Sequence, residues 1–373
     1  MQEAHKKEYM GKKIVYIMNV DWDWIKQRPH FLAEHLSRLN KIIVLYPYAW
    51  RRKQLVKNDR SGITPYPLYH LPFSKRFAFI RKMNTFLVRF VARIYLAWIR
   101  PDILWVASPE LFEYLPLNFS GKIIYDCMDD VLSFQKKMSH RQFLEFNERK
   151  LIEKCSQVFC SSKNLRDKLI ARAGCSNKYK IIYNAFEPFS VENPLIHEKK
   201  IKNKENYVLG YIGTISSWLD FDALIKLLNL FDSIEVHLVG PVEKSEVILP
   251  QHKRMKFIGP ILHKDIPARI LEFDALLMPF HVTDLIQSVD PVKLYEYIFF
   301  NKPITSVRYK EIERFDSFID FYDDHGELIL IIEKYLKEGF IKKYSDSERI
   351  QFISSNTWMD RAKQIQECLV TLD

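Results

Sequence analysis

The stretch YVLGYIGTISSWLDFDALIKLLNLFDSIEVHLVG, residues 207–240, reads as strand, turn, helix and strand. Its first run, YVLGYIGT (207–214), is short, β-branched and aromatic, and ends on Gly213 and Thr214 at a strand-to-helix turn; IEVHLVG (234–240) is a second run of that kind. Such alternation is the βαβ rhythm of a parallel sheet. Downstream it continues in MKFIGP (255–260), DALLMPF (274–280) and KPITSV (302–307). Upstream it recurs in KIVYIMNV (13–20), KIIVLYP (41–47), DILWVAS (102–108), KIIYDC (122–127), VFCSS (158–162) and KIIYNA (180–185). The polar, lysine-rich segment centred near residues 190–205 separates the two series as a linker. The pattern predicts an α/β protein of two doubly wound parallel-sheet domains facing a central cleft.

Size and composition agree. A chain of 373 residues, 47% hydrophobic and 14% aromatic, exceeds the length at which a single core stops growing. Five cysteines without a CxxC pair argue against a disulfide framework and for a reducing compartment. The N-terminus reads as neither signal peptide nor span, and no segment reaches the roughly 18 uninterrupted apolar residues a span needs. A formal net charge of +10 points to acidic partners. Much of it sits in RRKQLVKNDR (51–60) and in KRFAFIRKMNTFLVRFVARIYLAWIR (75–100), which contains no acid. There Met83, Phe86, Leu87, Phe90, Val91, Ile94 and Trp98 recur at helical spacing. This is a basic amphipathic helix. It serves as a crossover with its apolar stripe inward and a solvated basic back, as an anionic membrane contact, or as both.

The chemistry should lie at the carboxyl ends of the strands. No GxGxxG follows the first strand, and GxxxxGK[ST], HExxH and CxxC are all missing, which disfavours dehydrogenase, ATPase and zinc chemistry. Instead VDWDWIKQRPHF (20–31) places Asp21, Trp22, Asp23 and Trp24 after a strand, with Arg28, Pro29 and His30 opening the next helix. Tryptophans interleaved with acids form a sugar platform, or a hydrophobic staple with capping acids. YDCMDDVLSF (125–134) gathers Asp126, Asp129 and Asp130, suited to a general base, arginine pairing, metal binding or helix capping. The turn at Gly213 and Thr214 suits a phosphate, and Trp218 and Asp220 share its loop. The Gly-Pro ends of LVGPVE and FIGPIL open loops against which a nucleobase can lie. In DPVKLYEY (290–297), Lys293 and Glu296 share one helical face behind Pro291. They make a surface ion pair, or a clamp for a ligand carrying both negative charge and hydroxyls.

Several motifs together carry a resemblance: GYIGTISSWLDFD, VHLVGP, MKFIGPILHKDIPARILEFDALLMPF and DPVKLYEYIFFNKPITS in the second half, with DWDWIKQRPHFLAEHL, YDCMDD, YNAFEP and NTWMDRAKQIQECL elsewhere. The chain resembles GT-B glycosyltransferases over nearly its whole length, in particular the GT4-like group that includes teichuronic acid and other bacterial surface-polysaccharide transferases. The resemblance implies an acceptor-binding Rossmann-like domain over residues 1–190, a nucleotide-sugar-binding one over 206–355, and a final helix over 356–373 that returns to the first. It implies a UDP- or GDP-sugar donor, a glycan or polyprenyl-diphosphate-linked acceptor, and no metal or other cofactor. The cysteine usage and the basic residues from 51 to 100 point in turn to the cytoplasm and to an acceptor at the inner face of the cell membrane.

By the same resemblance, Gly213, Thr214, Trp218, Asp290, Pro291, Lys293, Leu294 and Glu296 bind the donor, with Glu296 on the ribose and Lys293 on the diphosphate. Asp126, Asp129 and Asp130 act as base or orient the acceptor, which Asp21, Trp22, Asp23, Trp24, Arg28 and His30 bind. Two departures stand out. Ser288 occupies the position of the first of the two family glutamates, leaving Asp284 or Asp290 to substitute, and ISSWLDFD lacks the usual basic pair, leaving Lys293 and Arg28 to neutralise phosphate. The alternatives are a non-catalytic sugar-binding or assembly subunit of the same fold and a sugar-nucleotide epimerase; no nucleic-acid-binding signature appears.

Overall fold

Buried runs of Ile, Val, Leu and aromatic residues, too short for helices and apolar on both faces, can be satisfied only in sheets covered on both sides. The structure, a computed structural model, describes residues 11–48, 62–71, 77–116, 118–174, 177–189, 204–243 and 247–372. The basic run 51–60, Lys75, Arg76 and most of the linker lie outside the described residues. The chain divides into two units, Met1–Asn184 with Trp358–Asp373, and Ala185–Thr357.

In the first unit, strands β1 (Lys13–Ile17), β2 (Lys41–Tyr48), β3 (Ile63–Tyr69), β4 (Ile103–Val106), β5 (Lys122–Cys127), β6 (Gln157–Cys160) and β7 (Tyr179–Ile181) form a sheet. Its order is β3-β2-β1-β4-β5-β6-β7, and every pairing is parallel. Helices α1 (Arg28–Leu36), α2 (Ala78–Ile99), α3 (Met138–Lys154) and α4 (Lys163–Ala173) make crossovers. Strand β3 escapes the sequence pattern because Pro65 and Pro67 interrupt ITPYPLY. At a sheet edge those prolines cost nothing, since a missing N–H there has no further strand to serve.

The second unit repeats the plan with β8 (Tyr207–Ile212), β9 (Ile234–Val239), β10 (Met255–Gly259), β11 (Ala275–Met278), β12 (Ile304–Val307) and β13 (Asp320–Tyr322). The order is β10-β9-β8-β11-β12-β13, again with every pairing parallel. Its helices are α5 (Phe221–Leu230), α6 (Ile266–Leu271), α7 (Val292–Phe299), α8 (His325–Glu338) and α9 (Asp346–Ser354). Strand β13, only three residues long, leaves too little periodicity to be read from sequence. In each sheet the order reverses beside its first strand, between β1 and β4 and between β8 and β11. Loops diverge at that point, and a crevice for a ligand opens outside the strand ends.

The basic helix is real, but it is rotated from expectation. Val88, Ala92, Leu96 and Ile99 are the buried apolar residues of α2, while Phe86, Phe90, Ile94 and Trp98 are exposed. Asn84 sets that rotation: its Oδ1 accepts from the Leu71 N–H at 2.7 Å and its Nδ2 donates to the Leu71 carbonyl at 3.0 Å. Tyr95 stacks on Tyr66 of β3 at 5.1 Å. Hydropathy spacing alone cannot choose between two apolar stripes on one helix, whereas a buried amide with fixed partners can.

The last helix, α10 (Trp358–Val370), belongs to the first unit and packs on α1. Trp358 is fully buried and stacks on Phe31 with ring centroids 5.3 Å apart at 6°. Asn40 donates to Gln366 at 2.7 Å, and Arg361 donates to the Tyr183 carbonyl at 3.1 Å. Replacing Trp358 by alanine removes the anchor and leaves a cavity, so Trp358→Ala should lower unfolding free energy by about 3–5 kcal/mol, read from the denaturation of the first unit.

Candidate functional site

In the second unit the reversal point is built on Gly213. Its φ of +151° lies where side chains are strained, and a Cβ there would stand 1.9 Å from Lys293 Cε. Gly240, at the end of β9, meets the same turn from the other side: a Cβ on it would lie 2.0 Å from the Gly213 carbonyl oxygen. Two bare backbones therefore let the β8 and β9 ends close up and leave room for the lysine. Tyr211 donates its hydroxyl to the Thr214 carbonyl at 2.9 Å, holding the turn. The Tyr297 hydroxyl accepts from the Ile212 N–H at 3.0 Å, pinning α7 to the strand end. Neither tyrosine stands out in sequence, because each reads as an ordinary core aromatic.

Lys293 is half-buried, and among the described residues no carboxylate pairs with its ammonium, which lies 5.7 Å from the centroid of the Tyr211 ring. The unfilled charge thus sits beside a glycine turn and the amino end of α7, both favourable to anions. One turn along the same face, Glu296 is partly accessible and lies 3.8 Å from His263 Nε2, too far for a direct hydrogen bond. His263 stacks on Phe189 at 4.6 Å with an interplanar angle of 11°. His263 follows the Gly-Pro end of β10, so the loop was legible, but the imidazole's approach to Glu296 was not.

Other residues expected at the donor are placed differently. Asp290 is buried, accepts from the Tyr295 hydroxyl at 3.1 Å and ion-pairs with Arg314, so it fastens the start of α7 and does not stand in for a sugar-binding acid. Leu294 is wholly in the core, and Pro291 is the buried cap of α7. Trp218 is half-buried, packs on the core and accepts from the His281 N–H through its carbonyl at 2.8 Å. Ser288 is buried and Asp284 exposed. A cavity of about 580 Å³ near the ends of β11, β12 and β13 is lined by Asp220, Lys226, His281, Tyr322 and His325, not by Lys293 or Glu296. Its charges satisfy one another: Asp220 accepts from His325 at 2.8 Å, and His325 bonds Lys226 at 2.9 Å. A ligand there would have to break bonds already made, whereas Lys293 makes no ion pair among the described residues.

In the first unit, burial converts several predicted acceptor and catalytic residues to structural roles. Arg28 and Asp126 form a buried pair, Nη2 to Oδ1 at 2.8 Å, with Arg28 Nε also donating at 3.1 Å. Tyr16 donates to the same carboxylate at 2.9 Å, and Arg28 Nη1 donates to the Ile182 carbonyl at 2.8 Å. Burial, then the Asp126 charge, pushes the Tyr16 hydroxyl well above its ordinary range. Arg28 is therefore committed and does not serve a diphosphate. Asp130 accepts from Ser133 at 2.7 Å, Arg172 at 2.8 Å and Lys168 at 3.0 Å. Burial raises its carboxyl, but those bonds outweigh it and leave it below the usual value.

Asp129 alone of the three is exposed as a residue, yet its carboxyl group is enclosed: burial raises it, opposed by Arg28 and reinforced by Asp130. Trp22 is fully buried beside His30 at 5.2 Å, so it is a packing residue and not a sugar platform. His30 is buried too: its Nδ1 accepts from the Gln27 N–H at 3.2 Å while its Nε2 faces the Asp21 carbonyl at 3.2 Å, which fits a neutral ring protonated on Nε2. Asp21 accepts from the Asp23 N–H at 3.1 Å, a local turn bond, and both acids are buried. Trp24 is half-buried. Among the described residues no group of three or more His, Cys, Asp or Glu is placed to hold a metal ion.

No protein-family profile matches the chain. It is 23% identical over 364 residues, 90% of this chain and 91% of the other, to a protein of Bacillus subtilis (strain 168) described as "Putative teichuronic acid biosynthesis glycosyltransferase TuaH". Among solved structures it is similar to sucrose-phosphate synthase from Thermosynechococcus elongatus, with a TM-score of 0.73 at 11% identity over 97% of this chain and 99% of that one. It is also similar to HepE of Anabaena in complex with UDP-glucose, with a TM-score of 0.67 at 16% identity over 96% and 100%. The fold is therefore GT-B, and the resemblance read from the motifs extends to a curated relative and to solved glycosyltransferases.

Asp126→Asn leaves the buried Arg28 charge without its counter-ion and should cost about 3–5 kcal/mol in equilibrium unfolding. A pH effect follows from His30, whose folded value burial lowers from the ordinary 6.5. The unfolded chain then binds the extra proton, so stability falls as pH drops below 6.5 towards the lower folded value. Denaturation midpoints measured across that window should show this slope, and His30→Gln should flatten it.

Proposed function

We propose that the protein is a glycosyltransferase that moves a sugar from a nucleoside-diphosphate donor, a UDP- or GDP-sugar, to a glycan or polyprenyl-diphosphate-linked acceptor in bacterial cell-surface polysaccharide synthesis, working at the cytoplasmic face of the membrane. The observation that carries this reading is the unpaired Lys293 ammonium seated on the Gly213 turn, with Glu296 one turn along the same helix. Lys293, the turn's backbone and the amino end of α7 receive the diphosphate; Glu296 accepts hydrogen bonds from the ribose hydroxyls. His263 and Phe189 offer a flat aromatic pair beside Glu296 for the nucleobase. In the reaction the acceptor oxygen bonds to the anomeric carbon as the bond to the diphosphate breaks. The acceptor proton leaves to a base, and the nucleoside diphosphate departs with the bonding electrons. Cation and helix dipole stabilise that developing charge without a metal. Of the three aspartates, Asp129 is the one that forms no ion pair among the described residues, and it is the one assigned to the acceptor.

The curated relative's name supports the polysaccharide reading, and solved neighbours of the same fold bind UDP-sugars. A second reading, a nucleotide-binding subunit without transferase activity, draws on Ser288, which is buried where the family's first glutamate stands.

Titration calorimetry with UDP, GDP and CMP should find binding of one nucleotide that weakens about 10–100-fold in Lys293→Ala and in Glu296→Ala, the loss expected for a charge-assisted bond. Unchanged affinity in both would end the donor assignment. Slow release of free nucleoside diphosphate from the matching sugar nucleotide, undiminished by a chelator, marks an enzyme; binding without release favours the subunit reading.

A further inference from the structure

Helix α2 carries two apolar faces, and only one is covered. Towards the sheet lie Val88, Ala92, Leu96 and Ile99. On the opposite side Phe79, Phe86, Phe90, Ile94 and Trp98 are 73%, 67%, 56%, 51% and 70% exposed. At 100° per residue those five share one face. Lys82, Arg93 and Arg100 are exposed along one edge of it, and residues 78–99 contain no Asp or Glu. The adjoining α3 packs against the same turn, residues 109–114, as α2 does, and exposes Met138 and Phe146 with Arg141 nearby.

We propose that this outward face of α2 seats the first unit on an anionic bilayer surface, with the aromatic row among the acyl chains near the headgroups and the cations on lipid phosphates. Chemistry selects the occupant. Large aromatic and branched side chains beside Lys and Arg match a negatively charged interface, where apolar burial and charge attraction add. A second copy meeting this face about a two-fold axis would set Lys82 and Arg93 against like charges. The helix lies on the bilayer and does not cross it, because its inner face is already packed in protein and no helix of the described residues is long and apolar enough to span. The proposal rests on the membrane placement proposed above but not on the donor: nucleotide affinity tests one, vesicle affinity the other.

The full chain is sedimented with vesicles of phosphatidylcholine alone and with one-third phosphatidylglycerol. Binding should require the anionic lipid, weaken as salt rises, and fall about tenfold or more in Phe86→Ser/Phe90→Ser and in Lys82→Glu/Arg93→Glu. These side chains are exposed, so both variants should keep the wild-type melting temperature. Should either misfold, Trp98→Phe supplies the second readout: it should abolish most of a vesicle-induced blue shift in tryptophan emission. Equal binding to both vesicle types, salt-insensitive binding, or variants that bind like wild type would overturn the proposal. So would self-association without lipid that Phe86→Ser/Phe90→Ser abolishes.

Discussion

A parallel strand cannot return to its neighbour through a tight turn; it needs a crossover long enough to run the length of the sheet. Everything else in this protein follows from that constraint. Crossovers cover both faces of each sheet with helices, which drives the strands towards apolar residues on both faces, as in the buried β4 and β11. Function is left to the loops at the carboxyl ends, and the reversal of strand order beside β8 separates two of them. Gly213 and Lys293 come together at that reversal, although 80 residues of chain divide them.

Burial then sorts the polar residues gathered at the strand ends. Asp126, Arg28, Asp290 and Arg314 each found a counter-charge before any ligand arrived. A buried ion pair of this kind adds little net stability over an apolar pair, yet breaking it leaves a charge stranded in a poor dielectric. It therefore holds geometry. Asp126 fastens α1 to β1 and β5 through Arg28 and Tyr16, and Asp290 fastens the start of α7 to residues 310–315 through Arg314. Among the described residues this sorting passed over Lys293, which pairs with no carboxylate, and Glu296, which has an imidazole 3.8 Å away; the proposed donor site is built on those two.

The same sorting explains α2. A crossover helix needs one buried stripe, and Val88, Ala92 and Leu96 are small enough to lie close to the sheet. The bulkier Phe86, Phe90 and Trp98 were free to be anything soluble, but they are aromatic and bordered by cations. Surplus apolar surface of that extent on a folded unit marks a contact surface.

The two α/β series, the turn after the strand at Gly213 and the shared face of Lys293 and Glu296 are legible in the residue pattern, because each rests on local periods of 2.0 or 3.6 or on adjacent residues. Prolines hid β3 and brevity hid β13. Packing in three dimensions settled which aspartates were spent on ion pairs, that Trp22 and His30 pack together in the interior, which stripe of α2 faces out, and that His263 comes within 3.8 Å of Glu296. Most of those outcomes depend on partners far along the chain: Arg28 and Asp126 pair across 98 positions. Periodicity reports what a segment would like to bury, while the competition among segments for one interior settles what is buried.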